Sequence, residues 1–363
     1  MQSRKYAILS MQRVVNFGSV LQAYSLRKMI RQITNSSVSF LDIDDANVLL
    51  SKKTIRASAD YQEPAAYPPG LLQKGKRWIF AKLSKRNKRL IRGFMDQELG
   101  LSQAANNDQY DCVIVGSDEV FNHDRDIRLQ LHGDVKQGKR VISYAASCGR
   151  AMIGDIAEED LNRVKTAMGN FSAISVRDSA TKEYVSALYD GPIEHHLDPV
   201  LMGDLHQREH RPVHLKKYLL VYAYGQRIRN AEEIKAIQSF AKARGLKTVA
   251  MGGTQFWCDM FIPTDPMRLL DYFYGADYVV TDTFHGTIFS VINHKKFAVI
   301  LRKSNTNKMT GLLQDLNLPE RQVEKMQDLE QILLSDIDYD AVDALLERER
   351  VRTRAYLKTQ LEG

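Results

Sequence analysis

The chain has 363 residues, 44% of them hydrophobic, and a formal charge of +7 from 51 Lys and Arg against 44 Asp and Glu. That length exceeds what one hydrophobic core accommodates, so two domains are expected, and no apolar stretch reaches the ~18 residues a membrane span needs. Cys112, Cys148 and Cys258 lie far apart without metal-ligand spacing, which argues against a zinc site or a disulfide framework and reads as buried thiols of a reducing compartment.

The first residues, MQSRKYAILSMQRVV, lack the long apolar segment of a secretory signal, so a cytoplasmic protein is expected. Strand-like runs then alternate with helix-like ones. Residues 6–10, a helix over about 19–33 and a strand over 38–43 form a βαβ start. A polar stretch with Gln62-Glu63-Pro64 and Pro68-Pro69-Gly70 leads into an amphipathic helix at about 73–95. Nine of the 51 basic residues fall between Gln73 and Arg92 with no acidic one, and removing them leaves 42 basic against 44 acidic. The basicity is therefore local, which argues against nucleic acid as a partner. Phe80, Leu83, Leu90 and Phe94 fall near helical spacing on one side of that segment, with Trp78 and Ile79 nearby. Such a helix either rests on an anionic membrane surface or packs its apolar side on its own domain.

Further strands are expected at 112–115, 141–144, 173–176 and 193–197. The polar run 206–216 reads as a linker, after which the pattern restarts: strand 218–223, helix 231–243, strand 247–251, helix 266–275, strand 278–281, helix 285–293 and strand 297–301. The expected organisation is an α/β chain of two Rossmann-like, doubly wound domains, 1–205 and 217–335, facing across a cleft. A charged C-terminal helix in 336–363 is expected to close back onto the first domain.

Open parallel sheets bind ligands beyond the carboxyl ends of their strands, so the strand-end motifs carry the functional reading. Asn16-Phe17-Gly18-Ser19 follows the first strand and opens a helix. Val115-Gly116-Ser117-Asp118 ends the strand at 112–115, Ser175-Val176-Arg177-Asp178 ends another, and Thr281-Asp282-Thr283-Phe284-His285-Gly286 joins strand to helix in the second half. His285 at a helix N-terminus suits an anion, with Thr283 as cap, Asp282 to orient the imidazole and Gly286 to let a ligand approach the backbone. On spacing alone, His285 reads first as a turn residue bonded to its own backbone, and Arg177-Asp178 as a surface ion pair. Of His195 and His196, one should face the cleft side and the other the core; they lack a third partner for a metal. Lys295, Lys296, Arg302, Lys303 and Lys308 would enrich the cleft rim in positive charge. Neither a G-x-G-x-x-G fingerprint nor a Walker lysine is present, which argues against dinucleotide binding and NTP hydrolysis.

Taken in order, Asn16-Phe17-Gly18 with Leu21-Gln22-Ala23-Tyr24, Val115-Gly116-Ser117-Asp118 with Phe121-Asn122, Ser143-Tyr144-Ala145-Ala146-Ser147, Ser175-Val176-Arg177-Asp178, Leu197-Asp198-Pro199-Val200 and Thr281 to Thr287 resemble the polysaccharide pyruvyl transferase family. The resemblance spans residues 6 to about 318. It implies a glycosyltransferase-B-like fold and transfer of the pyruvyl unit of phosphoenolpyruvate to a sugar diol, giving a cyclic pyruvate ketal and phosphate. It matches the family's donor-site histidine to His285 and its donor-contacting arginine to Arg177. Lys308 lies before Leu312-Leu313, where members often carry an arginine.

The donor it implies carries a carboxylate and a phosphate, so its site needs cations and helix N-termini. His285 then serves as general acid or as imidazolium stabilising phosphate, with Asp118 as base and Asn16, Gly18, Ser117, Asp282, Thr283, Gly286 and Lys308 as contacts. No cofactor or metal is demanded, because an arginine and a helix dipole stabilise a leaving phosphate. Acceptors of this class are typically repeat-unit sugars, often on a lipid carrier at the inner membrane face, in cell-surface polysaccharide biosynthesis. The rival readings are a nucleotide-sugar glycosyltransferase of the same architecture and a non-catalytic polysaccharide-assembly scaffold.

Overall fold

The structure is a computed structural model that describes residues 4–44, 47–51, 71–101, 108–124 and 126–362, with the side chains of 71–74 excepted. The Gln62-Glu63-Pro64 and Pro68-Pro69-Gly70 stretches and the Lys74 side chain lie outside the described residues.

Two six-stranded sheets form the frame. The first contains β1 (Tyr6–Leu9), β2 (Val38–Phe40), β4 (Tyr110–Val115), β6 (Gly138–Ser143), β7 (Phe171–Val176) and β8 (Ile193–His195) in the order β2-β1-β4-β6-β7-β8. A short antiparallel pair, β3 (Val48–Leu50) with β5 (Asp126–Arg128), flanks it. The second contains β9 (Tyr218–Ala223), β10 (Lys247–Gly252), β11 (Met260–Phe261), β12 (Tyr278–Thr281), β13 (Lys296–Ile300) and β14 (Gln322–Val323) in the order β11-β10-β9-β12-β13-β14. Pairing within both large sheets is parallel. This follows from the sequence: central strands such as Leu219-Leu220-Val221 and Val113-Ile114-Val115 are apolar at successive positions and buried on both faces, as helix-covered parallel strands require. The strand expected over 38–43 ends at Phe40.

Helices α1 (Phe17–Thr34), α2 (Leu71–Phe94), α3 (Glu158–Met168), α4 (Ser179–Ser186) and α5 (Pro199–Met202) are threaded through the first half. Helices α6 (Ala231–Ala243), α7 (Pro266–Gly275), α8 (Phe284–Ile292), α9 (Thr306–Asp315) and α10 (Leu329–Leu334) belong to the second, and α11 (Tyr339–Glu362) returns to the first. There Arg4 Nη1 and the Tyr6 hydroxyl donate to the Leu361 carbonyl at 2.8 and 3.1 Å, and the Tyr356 hydroxyl donates to the Ser143 carbonyl at 2.9 Å.

Each sheet winds outward from its centre in both directions. The strand order reverses between β1 and β4 in the first and between β9 and β12 in the second. Crevices open at such switch points. Helix α2 straddles the halves: Phe80 packs 6.0 and 5.9 Å from Phe256 and Phe261, Phe94 packs 5.7 Å from Tyr24, and the Asn87 side chain accepts from the Thr264 N–H at 3.0 Å.

Candidate active site

The loops leaving the four switch-point strands converge between the sheets. After β1, Asn16 caps α1 by accepting from the Ser19 N–H at 2.8 Å. After β12, Thr283 caps α8 by accepting from the Gly286 N–H at 3.0 Å, which sets His285 in the first turn. The His285 ring then lies against α1: a Cβ on Gly18 would fall 2.2 Å from His285 Nδ1. Only glycine leaves room for an imidazole arriving from the other half.

Asp198 is the hub of the arrangement. It has no solvent exposure, accepts from the Val200 N–H at 3.0 Å and receives Arg177 Nη1 at 2.9 Å. His285 Nε2 reaches the same carboxylate from the second half at 3.5 Å. Burial raises the Asp198 carboxyl, but His285 and Arg177 outweigh it and hold it below its ordinary value. Burial likewise works against the Arg177 cation, yet Asp198, Asp118, Asp178 and Glu119 together raise its pKa. The Arg177 guanidinium stacks 4.3 Å from the Phe284 ring, one residue before His285.

A second bridge runs alongside. Lys308 Nζ donates to Glu119 Oε1, whose other oxygen accepts from Asn122 at 2.7 Å. Burial pushes the Glu119 carboxyl up, but Lys308, Asn122 and Arg177 together hold it down to about 2. Next to it Asp118, at φ +83°, accepts from the Ser19 hydroxyl at 2.5 Å and from the Glu119 N–H at 2.9 Å. Burial, with Asp118 and Glu119, pushes the Tyr224 hydroxyl up to about 12.

Several expectations need correction. Asp282 does not orient His285. Its carboxylate turns from the cap toward Arg302 Nε at 3.0 Å and Arg227 Nε at 3.4 Å, and burial raises its pKa despite them. The orienting carboxylate is Asp198, from the other half. Arg177 does not form a surface pair with Asp178, which instead caps α4 through the Thr181 N–H at 2.8 Å. Ser117 has no solvent exposure, and its carbonyl accepts from the Ser10 hydroxyl at 2.8 Å. Gly286 makes room for packing rather than for a ligand, since a Cβ there would fall 2.1 Å from Thr281 Oγ1 and 2.7 Å from Tyr222. Of the cations assigned to the rim, Arg302 is held by Glu233 at 2.6 Å, Lys295 by the Tyr274 carbonyl at 2.7 Å and Lys296 by Asp336 at 2.7 Å, while Lys303 and Lys308 line a groove, Lys308 in its bridge to Glu119. His196 is buried on Ser175 at 2.9 Å, whereas His195, half-buried, meets the Arg177 carbonyl at 3.0 Å.

Two openings flank this core. A cavity of about 120 Å³ is lined by Asn16, Gly18, Tyr224, Gly253, Thr283 and His285 together with Ser84, Asn87 and Lys88 of α2. A more open groove of about 610 Å³ lies between the 149–154 loop and residues 303–308. Sequence reasoning missed Asp198, Lys88 and Tyr224 as site residues. Asp198 stands in the sequence reading only within the Leu197-Asp198-Pro199-Val200 motif and without a role of its own, and nothing local predicts its partners 21 residues before and 87 residues after it. Among the described residues, no group of three or more His, Cys, Asp or Glu is placed to hold a metal ion.

Comparison with known proteins bears on this geometry. The sequence model of the polysaccharide pyruvyl transferases matches residues 16–304, a span holding every strand-end motif above. No curated protein matches the chain in sequence. Among solved structures, Arabidopsis thaliana UGT89C1 complexed with quercetin aligns over 99% of both chains at 12% identity with a TM-score of 0.50. Staphylococcus aureus MnaA, solved with UDP, aligns over 97% of this chain and 90% of its own at 12% identity with a TM-score of 0.49. The first of these likenesses concerns the fold, two Rossmann-like halves of glycosyltransferase-B type.

Proposed function

Because the chain belongs to the polysaccharide pyruvyl transferase family, we propose that it takes the pyruvyl unit from phosphoenolpyruvate and closes it as a cyclic ketal on two hydroxyls of a saccharide. One observation carries this reading: a histidine at a helix start in one half and an arginine at a strand end in the other meet on a single buried carboxylate. Phosphoenolpyruvate is small and highly charged, and the cations beside this junction, Arg177, Lys308 and a protonated His285, suit its carboxylate and phosphate. The start of α8 adds the positive end of a helix dipole.

The chemistry assigns work to these groups. A proton delivered to the donor's methylene carbon creates an oxocarbenium-like centre at C2. One acceptor hydroxyl attacks there and releases its proton to a base. A second hydroxyl then displaces phosphate, so one donor and one diol yield one ketal and one phosphate. His285 is the proton donor or the group that neutralises departing phosphate, and Asp198 holds its ring in place. Arg177 and Lys308 hold donor charge. Asp118, on the acceptor half, is the base, and Asn16 and Thr283 border the chamber where the hydroxyls enter. The reaction needs no cofactor besides the donor itself. The acceptor is a repeat-unit sugar of a cell-surface polysaccharide, carried on lipid at the cytoplasmic membrane face. No helix among the described residues is long and apolar enough to cross a membrane, so such contact would be peripheral.

The test is direct. Purified protein is incubated with phosphoenolpyruvate and a panel of nitrophenyl hexosides, and products are read by mass spectrometry. The expected product is the hexoside plus pyruvate less one water, with equimolar phosphate. A melting-temperature rise with UDP or GDP but none with phosphoenolpyruvate, and no adduct on any acceptor, would favour a nucleotide-sugar glycosyltransferase instead.

A further inference from the structure

Helix α2 presents a face that the transfer chemistry does not use. Trp78, Lys82, Lys85, Arg89 and Arg92 recur at intervals of three and four residues and so share one side of the helix. All five are exposed, and Trp78 and its neighbour Ile79 keep 60% and 51% of their surface in solvent. Lys82 Nζ sits 3.5 Å from the Trp78 ring centre. The opposite side, with Phe80, Asn87, Ile91 and Phe94, is buried against both halves. Between Leu71 and Phe94 there is no acidic residue. The apolar side therefore packs on the protein, as one of the two readings of this segment expected, but that packing does not account for the outward side. A helix merely solvated at its surface ordinarily intersperses carboxylates as i,i+4 partners and does not add an exposed Trp-Ile pair.

We propose that this outward face docks the protein on an anionic lipid bilayer. Tryptophan partitions to the headgroup boundary, where its ring is half apolar and half wet, and a row of Lys and Arg beside it meets the negative surface. The apolar pair at one end of the stripe favours a lipid surface over a nucleic-acid backbone, which offers phosphates but no acyl boundary. Ser84 and Lys88 lie on the flank between the buried and the basic sides and line the cavity that holds His285. A docked α2 thus sets that cavity beside the headgroups. On the transferase reading, on which this consequence rests, a saccharide tethered in the bilayer reaches His285 without leaving the surface.

The test is flotation of the full chain with phosphatidylglycerol–phosphatidylcholine vesicles and with pure phosphatidylcholine vesicles, at low and high salt. Co-flotation with the anionic vesicles alone is expected. Each cation removed should weaken it about fivefold, so the triple variant Lys82→Glu/Lys85→Glu/Arg89→Glu should lose more than about a hundredfold, and Trp78→Ala alone should lose several-fold. All are surface changes, so melting temperatures should match wild type, as should turnover of a soluble nitrophenyl hexoside. Equal flotation of the triple variant, absence of wild-type flotation, or tighter binding to polyuridylic acid than to the vesicles would overturn the proposal. Flotation without any ketal product would leave the docking face standing and remove the transferase reading; ketal product without flotation would do the reverse.

Discussion

Asp198→Asn is the most informative single change in the protein. The carboxylate has no solvent exposure and carries the only negative charge in direct contact with both Arg177 and His285 among the described ion pairs. Asparagine keeps the shape and can still accept from the Val200 N–H, but its amide NH₂ then faces a guanidinium and an imidazole. Removing one partner of a buried ion pair costs about 3–5 kcal/mol, because the remaining charge stays desolvated. Arg177 retains the Phe284 ring at 4.3 Å and the field of Asp118, Asp178 and Glu119, so a loss near the low end, ~3 kcal/mol, is expected. Urea unfolding followed by circular dichroism measures it. The kinetic signature is separate: without the carboxylate, the His285 ring loses the group that holds it in place across the two halves, so kcat falls by about 10²-fold or more. A double variant with Arg177→Met removes the stranded cation and should recover part of the stability but none of the turnover. An Asp198→Asn protein with the wild-type urea midpoint and the wild-type kcat would refute the reasoning.

Three further outcomes follow from the same geometry. Gly18→Ala improves the helix propensity of α1 by about 1 kcal/mol, yet its Cβ must displace the His285 ring, which would lie 2.2 Å away. The variant should keep its melting temperature within a few degrees and lose about 10²-fold in kcat; wild-type kcat would show that the ring position is irrelevant to chemistry. His132 and His196 are pushed down, chiefly by burial, to about 4 and about 3 from the ordinary 6.5. Their folded values lie below the unfolded one, so the unfolded chain binds these protons first and stability falls as pH drops from 6.5 toward 4, by up to ~1.4 kcal/mol per pH unit for each histidine. Urea midpoints measured across that window should slope accordingly, with about half the slope in His132→Gln; a flat profile would contradict the burial of both rings. Lys308→Met leaves Glu119 without its cation, so its carboxyl should rise from about 2 toward the ordinary range and the donor KM should increase while kcat changes little. An unchanged donor KM would take Lys308 out of the donor site.

How much of this was legible in the sequence depends on whether a feature is local. The apolar runs Val113-Ile114-Val115 and Leu219-Leu220-Val221 announce buried parallel strands, and the capping chemistry of Asn16 and Thr283 is written in the residues that follow each strand. Those two signals place the loops at the switch points, and with them His285, Gly18 and Asp118. Contacts made across the two halves are not written locally. Asp282 precedes the His285 turn and so invites a pairing that the backbone direction prevents, while Asp198 sits before a proline and looks like punctuation. Lys88 belongs to a segment whose charge suggests a surface role, yet one flank of that helix forms a cavity wall. The meaning of Gly286 also changed with packing, from ligand access to contact with Tyr222.

The measurement that bears most directly on the central claim is phosphate release from phosphoenolpyruvate, in the presence of a hexoside diol, by wild type and by His285→Gln of matching melting temperature. The account predicts steady release by wild type, one phosphate per ketal formed, and a fall of about 10²–10⁴-fold in the variant. Release at the wild-type rate from the variant would contradict it, because the imidazole held on Asp198 would then have no part in the reaction.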